Sequence, residues 1–197
     1  MSEPAVGVLV SGGGRSLENL AAHLAAGDPP GRIALVLSNK ADAYALERAR
    51  RLNIPAVVVP HGDFSTRADF SRAVWSAIEE HACEVVVLAG FLRRIEIPER
   101  WSGRVLNIHP ALLPAFGGKG FYGDRVHRAV LEAGVPTTGC TVHYVTDEYD
   151  AGPILLQREI EVRPDDDVES LAARVFEEEK RALPQALGLH FRSVGKK

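Results

Sequence analysis

The sequence predicts a three-layer α/β architecture with a mostly parallel, Rossmann-like sheet and antiparallel strands in its C-terminal half. Two observations predict it. Between residues 5 and 88, short β-branched runs alternate with segments of helical spacing. After Pro110 that alternation stops, and two extended stretches follow one another across a short connection.

The strands expected in the first half are Ala5 to Val10, Arg32 to Leu37, Ala56 to Val59 and Glu84 to Leu88. Val85-Val86-Val87-Leu88 is apolar without a break, the pattern of a strand buried on both faces in a parallel sheet. Helical spacing marks Ser16 to Ala26, Asp42 to Leu52 and Thr66 to His81, with Asp63 or Ser65 as the cap of the third helix. A further buried strand is expected to end at Asn107-Ile108-His109. Beyond it come a Gly-rich loop, a helix over Asp124 to Ala133, and strands over Thr138 to Val145 and Pro153 to Val162. A long helix over Asp167 to Leu189, bent or broken near Pro184, is expected to close the fold, with Ser193 to Lys197 as a frayed tail. The expected organisation is one domain over residues 1–197.

The charge balance, 23 basic against 26 acidic residues, contains no basic block and argues against nucleic acid as a partner. Cys83 and Cys140 lie outside any Cys-x-x-Cys spacing, so the expectation is a reducing, cytoplasmic setting without a disulfide framework. Val6 to Val10 is too short for a signal core or a membrane span, so no membrane partner is expected. The sequence does not set the oligomeric state.

Gly12-Gly13-Gly14-Arg15-Ser16 follows the first strand and opens the first helix, where backbone N–H groups and the helix dipole favour an anion such as phosphate. Leu17 stands where a dinucleotide fingerprint has its third glycine, and the second strand ends in Ser38-Asn39-Lys40 without the ribose-binding acid. On these residues alone, a tight strand-to-helix turn competes evenly with an anion cradle.

Asn107 and His109 alternate at a strand end, so they share a face about 7 Å apart. The loop Thr146-Asp147-Glu148-Tyr149-Asp150-Ala151-Gly152 is placed to bring a carboxylate to His109. An amide donor, an imidazole and an acid suit acyl or formyl transfer, in which donors hold an oxyanion and the acid sets the charge of the imidazole. Each residue also has a plain structural reading: His109 bonded to a carbonyl, Asn107 capping a turn, Asp150 in a solvated turn. Zinc on His109, His127, His143 and Asp150 is a further reading, though no ligand-spaced helix supports it.

Motifs spread over nearly the whole chain carry a family resemblance. They are Ser11-Gly12-Gly13-Gly14, Ser38-Asn39-Lys40-Ala41-Asp42-Ala43, Val87-Leu88-Ala89-Gly90-Phe91-Leu92-Arg93, Asn107-Ile108-His109-Pro110-Ala111-Leu112-Leu113-Pro114, Gly139-Cys140-Thr141-Val142-His143 and Asp147-Glu148-Tyr149-Asp150-Ala151-Gly152-Pro153. With them the chain resembles the phosphoribosylglycinamide (glycinamide ribonucleotide) formyltransferases, folate-dependent enzymes of purine synthesis. The resemblance implies the formyltransferase fold, with 10-formyltetrahydrofolate as co-substrate, glycinamide ribonucleotide as acceptor and no metal. It also implies Asn107, His109 and Asp150 as catalytic residues, with His109 an imidazolium whose pKa Asp150 raises. Gly12, Gly13, Gly14, Arg15, Ser16 and Glu179 match the phosphate and nucleotide site. Arg67, Leu92, Arg93, Arg94, Ile95, Asn107 and the loop Thr146, Asp147, Glu148, Tyr149, Asp150 match the folate side.

Arg15 and Ser16 depart from the Ser-Asn usual in the family, which favours backbone over side-chain contacts to phosphate there. The stretch Ala115 to Val126, before the matched His127, is longer than the common pattern and has the length of a flap. A formyl-folate hydrolase and a non-catalytic nucleotide- or folate-binding protein are the competing functions.

Overall fold

A computed structural model describes residues 3–194 of the chain. Among the described residues there are seven strands and five α-helices. The chain forms two compact units, residues 1–106 and residues 107–197, and the boundary falls inside the fifth strand.

In the first unit the strands are β1 (Ala5–Val10), β2 (Arg32–Ser38), β3 (Ala56–Val58) and β4 (Val85–Leu88). They are parallel, in the order β3-β2-β1-β4. Every residue of β1 and β4 is buried. Side chains of alternate sign in the pleat are therefore covered on both faces, as the unbroken apolar runs predict. The helices are α1 (Arg15–Ala25), α2 (Tyr44–Arg51) and α3 (Arg67–Glu80). Each starts and stops within two residues of its expected bounds.

The cap of α3 is a correction. Thr66, not Asp63 or Ser65, holds it: its hydroxyl oxygen accepts from Asp69 N at 3.1 Å while the hydroxyl donates to Asp69 Oδ2 at 2.7 Å. Asp63 instead ends a short 3-10 turn, His61–Asp63. The segment after β4 is tied to α3, because Trp75 Nε1 donates to Glu96 O at 2.7 Å and Ser71 Oγ accepts from Glu96 N at 2.9 Å. Trp75 also stacks on Trp101, with ring centroids 5.0 Å apart.

β5 (Val105–His109) leads into the second unit. There α4 (Asp124–Ala133) has its expected bounds, so the Gly-rich stretch ends at Gly123 and Val126 is already a buried helical residue. β6 (Thr137–Tyr144) and β7 (Ile154–Glu161) pair antiparallel as expected. Their return turn needs Gly152, where a Cβ would lie 1.7 Å from the Tyr144 carbonyl oxygen. α5 (Val168–Val194) opens on a reciprocal cap: Asp167 Oδ1 accepts from Ser170 N, and Ser170 Oγ accepts from Asp167 N.

The expected break near Pro184 is absent, and α5 runs through it. Proline removes one backbone donor there, but Leu183, Pro184, Ala186 and Leu187 are all buried, and that packing holds the helix through the gap. The expected tail is also corrected in part: Ser193 and Val194 are helical, and residues 195–197 lie outside the described residues. No described helix is long and apolar enough to cross a membrane.

Candidate active site

The second unit brings Asn107, His109 and Asp150 together, and adds His143. Alternation on β5 puts Asn107 and His109 on one face, and His109 is 4% exposed. Asp150 sits in the β6–β7 connection with φ 52°, a left-handed conformation that aspartate accepts more readily than most residues. Its Oδ2 lies 3.6 Å from His109 Nδ1, and its Oδ1 lies 3.6 Å from His143 Nε2 and 3.4 Å from Asn107 Nδ2.

The hydrogen bonds assign the ring protons. His109 Nε2 is 2.9 Å from Phe116 O, which only accepts, so the proton sits on Nε2. His143 Nδ1 likewise donates to Tyr144 O at 2.9 Å, leaving Nε2 to accept from Asn107 Nδ2 at 3.1 Å. The two donor positions of the Asn107 amide therefore address His143 and, more weakly, Asp150.

The imidazolium that the resemblance implies during the reaction is not the resting form of His109. Burial pushes the pKa of His109 below 6.5 and outweighs the Asp150 carboxylate and the Phe116 carbonyl, which raise it. Asp150 favours the charged form and burial opposes it more strongly, so His109 rests neutral. Burial also pushes the Asp150 carboxyl upward. The neighbouring His143 imidazole, the Gly118 N–H at 2.9 Å and the positive charge that His109 gains once protonated outweigh this and hold it below 3.8, ionised.

The start of the Gly-rich loop belongs to this cluster. Phe116, itself at φ 55°, supplies the carbonyl under His109, and Gly118 supplies an N–H to Asp150. Gly117 between them has no room for a side chain, since a Cβ would lie 2.5 Å from Leu113 Cδ2 and 3.3 Å from Asp150 Cβ. Upstream, Thr141 Oγ1 donates to Ala111 O and accepts from Leu113 N, while Gln157 Nε2 donates to Leu113 O. Strands β6 and β7 thus fix the segment that follows His109.

Sequence reasoning missed His143 as a partner of Asn107. The available signal was its place on the strand that delivers the Asp150 loop. His127, on α4, is buried, and burial lowers its pKa. Among the described residues no group of three or more His, Cys, Asp or Glu stands in a metal-holding arrangement.

The remaining expected residues divide between the two units. Gly12, Gly13 and Gly14 form the turn between β1 and α1, Gly14 being the left-handed N-cap at φ 74°, and Arg15 and Ser16 start the helix. Ser11 anchors that turn: its hydroxyl donates to Asn39 Oδ1 at 2.5 Å and accepts from Leu92 N at 2.8 Å. Leu92 is 56% exposed, Arg93 and Arg94 are exposed, and Ile95 is buried. Arg67 opens α3 and pairs with Glu96 at 3.0 Å. In the second unit, Thr146, Asp147, Glu148 and Tyr149 form the loop leading to Asp150. Glu179 stands on α5, close enough to Cys140 of β6 that its charge adds to the burial that pushes that thiol up to about 12.

Comparisons with known proteins agree with this fold. Residues 5–187 match the family described as formyl transferase. Over 186 residues, 93% of the chain, it is 45% identical to the trifunctional purine biosynthetic protein adenosine-3 of Gallus gallus. It covers only 18% of that protein, so it spans about a fifth of the trifunctional relative's length. It is 37% identical to the phosphoribosylglycinamide formyltransferase of Haemophilus influenzae, covering 91% of this chain and 83% of that one. The crystal structure of glycinamide ribonucleotide transformylase 1 from Symbiobacterium toebii superposes with a TM-score of 0.88 at 40% identity, covering 93% of this chain and 85% of that one. The chain belongs to the formyl transferase family, alongside the phosphoribosylglycinamide formyltransferases.

Proposed function

We propose that the chain transfers the formyl group of 10-formyltetrahydrofolate to the amine of 5'-phosphoribosylglycinamide in purine biosynthesis. The observation that carries this reading is the convergence of Asn107, His109 and Asp150, with the carboxylate 3.6 Å from the imidazole. Membership of the family and the similarity to phosphoribosylglycinamide formyltransferases support the choice of substrates.

The amine nitrogen attacks the formyl carbon, forming a C–N bond and moving the carbonyl π electrons onto oxygen. The Asn107 amide donates to that oxygen. Its 3.4 Å contact with Asp150 is the weaker of its two, and is the one an oxyanion displaces. His109, neutral at rest, takes the proton shed by the amine, and Asp150 stabilises the imidazolium so formed. As the bond to the folate nitrogen breaks, His109 returns the proton to that nitrogen and is neutral again. Neither a metal nor a covalent enzyme intermediate enters the sequence.

The other assignments follow the resemblance. Gly12 to Ser16 take the phosphate and Glu179 the nucleotide, while Arg67, Leu92 to Ile95 and Thr146 to Asp150 take the folate. The proposed compartment is the cytoplasm, which suits the two buried free thiols, Cys83 and Cys140.

Incubation with 10-formyltetrahydrofolate, with and without phosphoribosylglycinamide, tests the reading. Folate release that needs the amine is expected. Release without it identifies a formyl-folate hydrolase, and binding without release identifies a non-catalytic binding protein.

A further inference from the structure

Resting on that reading, the geometry points to Arg48 as a positioning residue for the phosphate of the acceptor. From α2 it fixes the glycine loop so that the amide N–H groups of the loop face outward.

Three consecutive loop carbonyls are each claimed from within the first unit. Gly12 O accepts from Ala45 N at 3.0 Å, Gly13 O from Arg48 Nε at 2.8 Å, and Gly14 O from Glu18 N at 3.1 Å. In a planar trans peptide the carbonyl and the N–H that follows it point opposite ways. Fixing these carbonyls therefore turns the N–H groups of Gly13, Gly14 and Arg15 away from the groups that hold them. Successive N–H groups so aligned cradle an anion, and the N-terminus of α1 adds the positive end of its dipole.

Two of the three clamps are backbone groups, and only the middle one is a side chain. That side chain is itself held on three sides. Arg48 is 18% exposed, its Nη1 pairs with Glu18 of α1, and its guanidinium lies 5.1 Å from the centre of the Tyr44 ring. The planar fork lets Nε serve the loop while Nη1 serves Glu18, a division that lysine cannot copy. The loop also rests directly on α2: a Cβ at Gly14 would lie 2.6 Å from Ala45 Cβ. With Nε spent on Gly13 O and its charge offset by Glu18, Arg48 acts through the loop.

The test compares phosphoribosylglycinamide with its dephosphorylated riboside as acceptors, using one formyl donor, for the unaltered protein, Arg48→Met and Arg48→Lys. Arg48→Met is expected to raise KM for the phosphorylated acceptor about tenfold, the effect of losing one charge-assisted hydrogen bond. Its kcat, its KM for the formyl donor and its kcat/KM for the riboside should stay within about twofold. Inorganic phosphate should weaken as a competitor in step, and Arg48→Lys should fall between the two. General destabilisation would lower activity on both acceptors alike. An unchanged preference for the phosphorylated acceptor in Arg48→Met overturns the proposal; if that variant does not fold, the same result in Arg48→Lys does so. Should the unaltered protein fail to transfer formyl, the functional reading falls first. Calorimetric titration with inorganic phosphate then still decides whether Arg48 holds the loop: unchanged affinity in Arg48→Lys rejects it.

Discussion

His109 Nδ1 and Asp150 Oδ2 face each other at 3.6 Å as two proton acceptors, because the only proton of the resting imidazole is on Nε2, bonded to Phe116 O. A proton arriving between them is stabilised from both sides. The pair is thus arranged to receive a proton, and its resting charge is the single negative charge of Asp150.

This arrangement predicts an acid limb. His109 protonates below 6.5, so kcat/KM should fall as pH drops through that lowered value. Asp150→Asn, which keeps a residue tolerant of the left-handed backbone, removes the charge that raises this pKa; the NMR titration midpoint of His109 should move lower still. A midpoint that stays in place removes Asp150 from its assigned part.

Folding stability should follow the same sign. Both His109 and Asp150 have depressed pKa values, so the folded state binds fewer protons than the unfolded one. Their stabilisation is complete above pH 6.5. It is lost first as pH falls through the lowered pKa of His109, and again below 3.8 as Asp150 protonates. Urea midpoints measured from pH 8 to pH 3 should decline in those two stages.

Asn107→Ala removes the proposed oxyanion donor while changing only one side chain of β5. A loss in kcat of about a hundredfold or more is expected, with KM changed far less. Unchanged turnover contradicts the assignment.

His143→Phe keeps an aromatic ring in a buried site but deletes the acceptor that orients the Asn107 amide at 3.1 Å. Turnover should drop about tenfold, on the order of one buried hydrogen bond, with both KM values nearly constant. A change confined to KM assigns His143 to binding instead.

Gly152→Ala should cost about 3 kcal/mol or more, measured by urea unfolding, because its methyl group would meet the Tyr144 carbonyl at 1.7 Å. The Asp150 loop would have to shift to relieve the contact. A variant of full stability and activity shows that the turn tolerates a side chain.

The strands were legible because burial on both faces leaves unbroken apolar runs, as at Val85 to Leu88. Asn107 and His109 were legible because strand alternation is a local rule. What escaped depends on contacts remote in sequence. Pro184 reads as a helix breaker until the buried stripe around it is known. The resting charge of His109 depends on how completely it is buried, and no motif encodes that. His143 acquires its role only when β6 places its Nε2 against Asn107, 36 residues earlier in the chain.

The stacked pair of Trp75 and Trp101 accounts for both tryptophans of the sequence, and both belong to the first compact unit. Intrinsic indole emission is therefore a spectroscopic gauge of residues 1–106 alone. Near-ultraviolet fluorescence melts and far-ultraviolet dichroism melts will coincide only if the chain unfolds as one cooperative body. Any offset between the curves measures the independence of the part that carries the imidazole and its carboxylate.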